Sequence, residues 1–154
     1  MKNKIKYIVG IVGSLFLFSC EQEIARVDLI NDNSKEIVFE LKKDETINFY
    51  TEMNIEYKEK PLFVFNCEAY YENSQLFQGG TDPLVTLENK NDKQDVINGV
   101  THWKFFGKLD GDLKAIQDGK YTIKTTFIKN SEKGLKINKV EIVFIKQGYH
   151  FFNF

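Results

Sequence analysis

Two cysteines, Cys20 and Cys67, and two histidines, His102 and His150, are the side chains of this sequence best suited to nucleophilic, redox or metal chemistry. A reactive thiolate needs a neighbouring base or a positive charge that lowers its pKa. Cys67 has neither. It lies in the run Phe63, Phe65, Cys67, Ala69, Tyr71, in which every second residue is apolar, so it reads as a buried structural cysteine. A transition-metal site needs three or four His, Cys or acidic ligands at set spacings. His102 instead stands beside Lys104 on a polar phase, and His150 lies in an aromatic tail. Asp110 and Asp112 flank Gly111, but the further oxygen ligands and late glutamate of a calcium loop are missing, and a turn accounts for them. Gly79-Gly80-Thr81-Asp82-Pro83 is not followed by the lysine and helix start of a phosphate-binding loop. No Gly-x-Ser-x-Gly elbow is present, and Glu52 and Glu56 fall on a wet strand phase. These residues point to no catalytic site, no metal site and no cofactor, and to a protein that is not an enzyme.

The first residues carry a sharper signal. Lys2, Lys4 and Lys6 precede an apolar run from Tyr7 to Phe18, interrupted only by Gly10, Gly13 and Ser14 and closing on Leu17-Phe18-Ser19-Cys20. A basic start, an apolar run of about a dozen residues and a small residue at the end make a secretory signal peptide, short of the roughly 20 residues that a membrane-spanning helix needs. The last four residues resemble a bacterial lipobox, with aliphatic Leu17, a tolerated Phe18, small Ser19 and then the cysteine. The resemblance implies that residues 1–19 are removed, that the Cys20 thiol is lipidated and its new amino group acylated, and that residues 20–24 tether a domain spanning 25–154. Each buried methylene contributes about 0.8 kcal/mol, and two or more acyl chains together make a stable anchor. The membrane, reached through lipid on Cys20, is therefore the first expected partner.

Glu21, Gln22 and Glu23 resemble the acidic surface-export signal that follows the lipidated cysteine in some Bacteroidota lipoproteins. The same three residues also read as a solvated tether. A composition rich in Lys, Asn, Ile and Phe fits that bacterial group. The expected location is the cell envelope, lipid-anchored at the outer membrane and facing either the periplasm or the surface.

Without Lys2, Lys4 and Lys6 the chain keeps 18 basic residues against 22 acidic ones, a balance near −4. No basic stripe is left to follow a phosphate backbone, so charge and location both argue against nucleic acid. About 135 mature residues suit one domain. With Cys20 committed to lipid no internal disulfide is available. The domain must then rely on its core, for which an aromatic content of 14% supplies ample apolar surface.

The hydrophobic period is two almost throughout. Strands are expected over Ala25 to Ile30, Glu36 to Leu41, the clear alternation Ile47, Phe49, Thr51, Met53, Ile55, Tyr57, then Leu62 to Tyr71 and Gln75 to Gln78. Gly79 to Pro83 is expected to break the chain before a further strand at Pro83 to Leu87. Glu88 to Gly99, the longest polar stretch, reads as a mobile loop of the kind in which recognition residues collect. Thr101, Trp103, Phe105 and Leu109 mark the next strand, Asp110-Gly111-Asp112 a turn, and Leu113 to Gln117 a helical turn. Tyr121 to Lys129 and Leu135 to Gln147 complete the strands. In the last, the apolar phase shifts from Leu135 and Ile137 to Val140, Ile142 and Phe144, the mark of a bulge or of two short strands. The run Asp118-Gly119-Lys120-Tyr121 resembles the tyrosine corner of immunoglobulin-like and related Greek-key sandwiches, which implies that the Tyr121 hydroxyl bonds back to the preceding connection.

Tyr149, Phe151, Phe152 and Phe154 end the chain. A terminal Phe also closes outer-membrane barrels, but the lipobox and the number of short strands favour a sandwich. Tyr50, Tyr70 and Phe106 sit on polar phases; with Tyr149 and Phe151 they are either a contact surface or cover for the second face of a sheet. The expectation is an all-β, antiparallel two-sheet β-sandwich of about seven to nine strands, immunoglobulin-like or Greek-key in architecture. Its expected function is that of a membrane-anchored, non-catalytic binding or adaptor module, whose partner is another envelope protein or an external ligand. An envelope-tethered inhibitor or immunity protein, directed at a toxin or hydrolase, fits the same residues.

Overall fold

The computed structural model describes residues 21–130 and 132–148. The lipobox residues Leu17, Phe18, Ser19 and Cys20, and the tail residues Tyr149, His150 and Phe151, lie outside them. Nine strands run through the described residues: β1 (Gln22–Asp28), β2 (Ser34–Leu41), β3 (Thr46–Tyr57), β4 (Phe63–Tyr71), β5 (Ser74–Thr81), β6 (Glu88–Ile97), β7 (Val100–Lys114), β8 (Gly119–Lys129) and β9 (Lys136–Lys146). They form two antiparallel sheets, ordered β1-β9-β3-β7-β6 and β2-β8-β4-β5. This is the all-β two-sheet sandwich that the alternation predicts.

The core forms where the dry phases of the two sheets meet. Ile47, Phe49, Met53 and Ile55 of β3 and Val140, Ile142 and Phe144 of β9 face Phe63, Phe65, Cys67 and Ala69 of β4 and Tyr121, Ile123 and Phe127 of β8, all of them buried. Phe144 joins the layers, its ring centroid 5.3 Å from Phe39 of β2 and 5.4 Å from Phe49 of β3, both edge-on. Edge-to-face contacts of this kind contribute about 0.5–1.5 kcal/mol each beyond the area they bury. The phase shift in the last strand is a bulge: Lys139 pairs with Asn54 and Ile137 with Ile55, leaving Asn138 as the extra residue.

Several local expectations are overturned. Glu88–Ile97 is not a loop but strand β6, paired with β7 at the edge of the larger sheet and exposed along its whole length. Among the described residues no second layer covers it, so its side chains show no dry phase, and the backbone ladder alone defines it. Gly79 and Gly80 do not break the chain, because β5 continues to Thr81; the break comes at Asp82-Pro83. Pro83 to Leu87 is irregular rather than a strand. It crosses from one sheet to the other and plugs the open side with buried Leu84, while the Asp82 side chain accepts a 2.8 Å bond from the Leu84 N–H. Asp110-Gly111-Asp112 does not reverse the chain. It bulges within β7, whose pairing with β3 skips from Lys108–Tyr50 to Asp112–Asn48, and Gly111 absorbs the distortion at φ +118°. Leu113 and Lys114 then continue the strand, and no helical turn forms at Leu113 to Gln117. β1 begins at Gln22, earlier than Ala25, so the strand takes up part of the expected tether.

Candidate binding groove on the larger sheet

The outer face of the five-stranded sheet carries the wet phases of β1, β9, β3, β7 and β6, and two of the aromatics that the sequence singles out meet there. Tyr50 pairs across the ladder with Lys108, and Phe106 with Glu52. The diagonal offset stacks their rings face to face, 5.2 Å between centroids and 7° between planes. Val143 and Ile145 of β9 complete this second, small apolar cluster. Tyr50 is only 2% exposed, so it is floor rather than contact surface. Lys90 Nζ sits 5.8 Å from its ring centroid, within cation–π range. Burial, helped by the nearby Glu21 and Glu88, pushes the Tyr50 phenol above its ordinary value and keeps it neutral.

A groove of about 600 Å³ opens over this floor, with Phe106 and Ile145 at its base. On one side stands an ion network centred on Arg26 of β1. Its guanidinium donates to Glu23 at 3.0 and 2.9 Å and to both Glu52 of β3 and Glu141 of β9. Lys139 Nζ closes the network at 2.7 Å from Glu52 and 3.3 Å from Glu141. Glu23, Glu141 and Glu52 hold the Arg26 guanidinium well above its ordinary value, against burial. Burial alone would push the Glu52 carboxyl up, but its bonds to Lys139 and Arg26 outweigh that and hold it below the usual range.

The opposite side is cationic. Lys93 of β6 and Lys104 of β7 are directly paired across the ladder, and both line the groove with Asn91. Among the described residues neither has an ion-pair partner. Like charges directly opposite on one face destabilise a sheet, so this pair has no structural rationale of its own. It is positioned by a bulge in β6, where the register skips from Lys90 to Lys93. Asn91 takes φ +58° there, and Asp92 is pinned by bonds from Asn89 at 3.1 Å and from the Trp103 indole N–H at 2.7 Å.

Of the aromatics that the sequence offers as contacts, the structure joins Tyr50 and Phe106. Tyr70 lies on the other sheet, on the outer face of β4, and its hydroxyl donates to Glu68 at 2.5 Å; that bond raises its pKa. Tyr149 and Phe151 fall outside the described residues. Sequence reasoning missed Arg26, Glu52, Lys93 and Lys104 as a group, because only the strand register brings them to one groove. The alternation did mark Glu52 and Lys104 as outward-facing.

Away from the groove, His102 Nδ1 lies 3.9 Å from Glu56, whose carboxylate also takes bonds from Lys136 and Asn138 at 2.9 Å. Cys67 Sγ is buried against the Thr125 hydroxyl at 3.8 Å, and burial raises its pKa, the setting of an unreactive thiol. Among the described residues no group of three or more His, Cys, Asp or Glu side chains is arranged to hold a metal ion, and no helix is long and apolar enough to cross a membrane. The sequence matches no protein-family model and no curated protein.

Proposed function

We propose that this protein is a non-catalytic binding or adaptor module of the bacterial cell envelope, tethered by lipid on Cys20 and engaging its partner through the groove on the larger sheet. The observation that carries the reading is the facing pair Lys93 and Lys104, two cations with no ion-pair partner among the described residues, on the wall of an aromatic-floored groove. Their mutual repulsion is relieved when a partner supplies negative charge. Such an arrangement suits recognition of an anionic ligand and supports the non-catalytic reading. The tether reading rests on the lipobox-like Leu17-Phe18-Ser19-Cys20, and the start of β1 at Gln22 leaves a single residue between anchor and sheet. The groove, lined by Glu21 and Glu23 at the same end, would then open sideways close to the membrane. An immunoglobulin-like relationship of the sandwich is supported by the Tyr121 corner.

The test uses the full chain in the envelope of intact bacteria, with a photo-crosslinking residue in place of Asn91 on the groove wall. A discrete adduct is expected, lost in the double variant Lys93→Glu/Lys104→Glu. Cys20→Ala should move the protein from the membrane pellet to the soluble fraction. An adduct indifferent to the charge reversal would reject the groove, and membrane retention of Cys20→Ala would reject the tether.

A further inference from the structure

Every open sheet ends in rows of backbone donors and acceptors that invite another strand, and folds counter this with charge, proline, bulges or cover. Among the described residues four strands form such edges: β1 and β6 in the larger sheet, β2 and β5 in the smaller. β1 carries Glu23, Arg26 and Asp28; β2 carries Lys35, Glu36 and Glu40; β6 carries Glu88, Lys90, Asp92, Lys93 and Asp95, together with its bulge. β5, with the sequence Ser74-Gln75-Leu76-Phe77-Gln78-Gly79-Gly80-Thr81, carries no charge at all. Its one irregularity is Leu76, skipped near the start of the strand between the pairs Gln75–Tyr70 and Phe77–Ala69. From Phe77 to Thr81 the ladder against β4 is regular, and Gln78, Gly79 and Gly80 are exposed.

We propose that β5 is a homodimer edge, along which two copies of the chain pair antiparallel through Phe77 to Thr81 about a twofold axis normal to the sheet. Pairing there joins the two four-stranded sheets into one continuous sheet. The argument is one of charge. A twofold contact sets a surface against itself and must be self-complementary. A neutral edge meets that condition without desolvating or opposing any charge, whereas self-pairing of β1, β2 or β6 draws three or more charged side chains into the seam. The inference is independent of the groove, which lies on the other sheet. A contact of one strand pair is at the small end of specific interfaces, so the dimer is weak, with a dissociation constant on the order of 10 μM.

Gly79 supplies a clean test. A Cβ built there meets nothing within 4 Å, and its backbone is not in the left-handed region, so Gly79→Lys fits the fold while placing a charge on the edge. The full-length lipidated chain in detergent is examined by light scattering during size exclusion, over concentrations from roughly tenfold below to tenfold above that constant. The wild type should pass from monomer to dimer and do so equally at low and high salt. Gly79→Lys should weaken dimerisation by about tenfold or more, with an unchanged thermal midpoint. The variant Lys93→Glu/Lys104→Glu should still dimerise, even where it loses the groove adduct. A wild type that stays monomeric throughout would overturn the proposal and leave the edge to some other strand. A dimer that survives Gly79→Lys would overturn it too, by placing the contact elsewhere.

Discussion

The Tyr121 hydroxyl accepts bonds from the Ile116 and Gln117 N–H groups at 3.0 and 3.1 Å and donates to the Gln117 carbonyl at 2.7 Å. One atom thus satisfies three backbone groups of the β7–β8 connection, while its ring is buried in the core. The sequence makes this legible because the residues that build it are contiguous. Its three partners lie four or five residues before Tyr121, so the motif is a local unit, and Gly119 within it takes φ +150° where a Cβ would meet the Tyr71 ring at 2.9 Å. Cys67 is legible for a similar reason, since its neighbours at every second position share its burial. Tyr121→Phe keeps the ring but strands the three backbone groups. Ile116 and Gln117 are themselves exposed, so water can reach these groups, and the expected loss is the net worth of the hydrogen bonds, about 1 kcal/mol, or roughly 3–6 °C in thermal midpoint. A calorimetric midpoint within about 1 °C of wild type would show that water replaces the hydroxyl without penalty.

Strand β6 was hidden at the scale of elements, because alternation is visible only where one face is dry. Every residue of β6 is exposed, and Asn, Asp and Lys, which form most of it, are poor strand formers. The signal that could have found it is Asn98-Gly99, the strongest short hairpin dipeptide. Both residues have positive φ, +52° and +74°, as a tight turn between β6 and β7 requires. Asp110-Gly111-Asp112 misleads in the opposite sense: the same residue types serve a bulge as well as a turn, and only the partner strand decides. The groove inherits this illegibility, since Lys93 and Lys104 face each other through a register that no local pattern encodes. Their pairing also makes a prediction about β6 itself. Because like charges oppose each other there, Lys104→Ala should leave stability unchanged or raise it by about 0.2–0.5 kcal/mol, while weakening partner capture at the groove. A drop of about 1 kcal/mol or more in chemical denaturation would mean that Lys104 supports the sheet and that the pair carries no functional message.

For the whole molecule, Cys67 is free and no disulfide joins the sheets among the described residues, so its dependence on pH follows from their packing and ion pairs. Glu52, with 21% of its side chain exposed, is the least exposed of the carboxylates held below their ordinary range; Glu56, beside Lys136, and Asp32, beside Lys35, are shifted the same way at the surface. A depressed carboxyl stabilises the fold above its unfolded pKa, about 4.3 for Glu, and that stabilisation is lost as pH falls through the lower folded value. Cys67 has the opposite sign. Burial raises its folded pKa, so its contribution is complete below the unfolded value of about 8.5 and fades as pH climbs past it. The expected profile is a plateau between about pH 5 and pH 8 with a falling limb on either side. Urea midpoints from about pH 3 to about pH 10, spanning both limbs, test it, and two variants assign the limbs. Glu52→Gln should lower the plateau, because Arg26 and Lys139 lose a charged partner, and should flatten the acid limb. Cys67→Ala should flatten the alkaline limb alone. If both limbs survive both substitutions, the network on the outer face and the buried thiol do not govern the response, and the surface carboxylates or the deprotonation of buried Tyr50 and Tyr57, both raised by burial, must carry it.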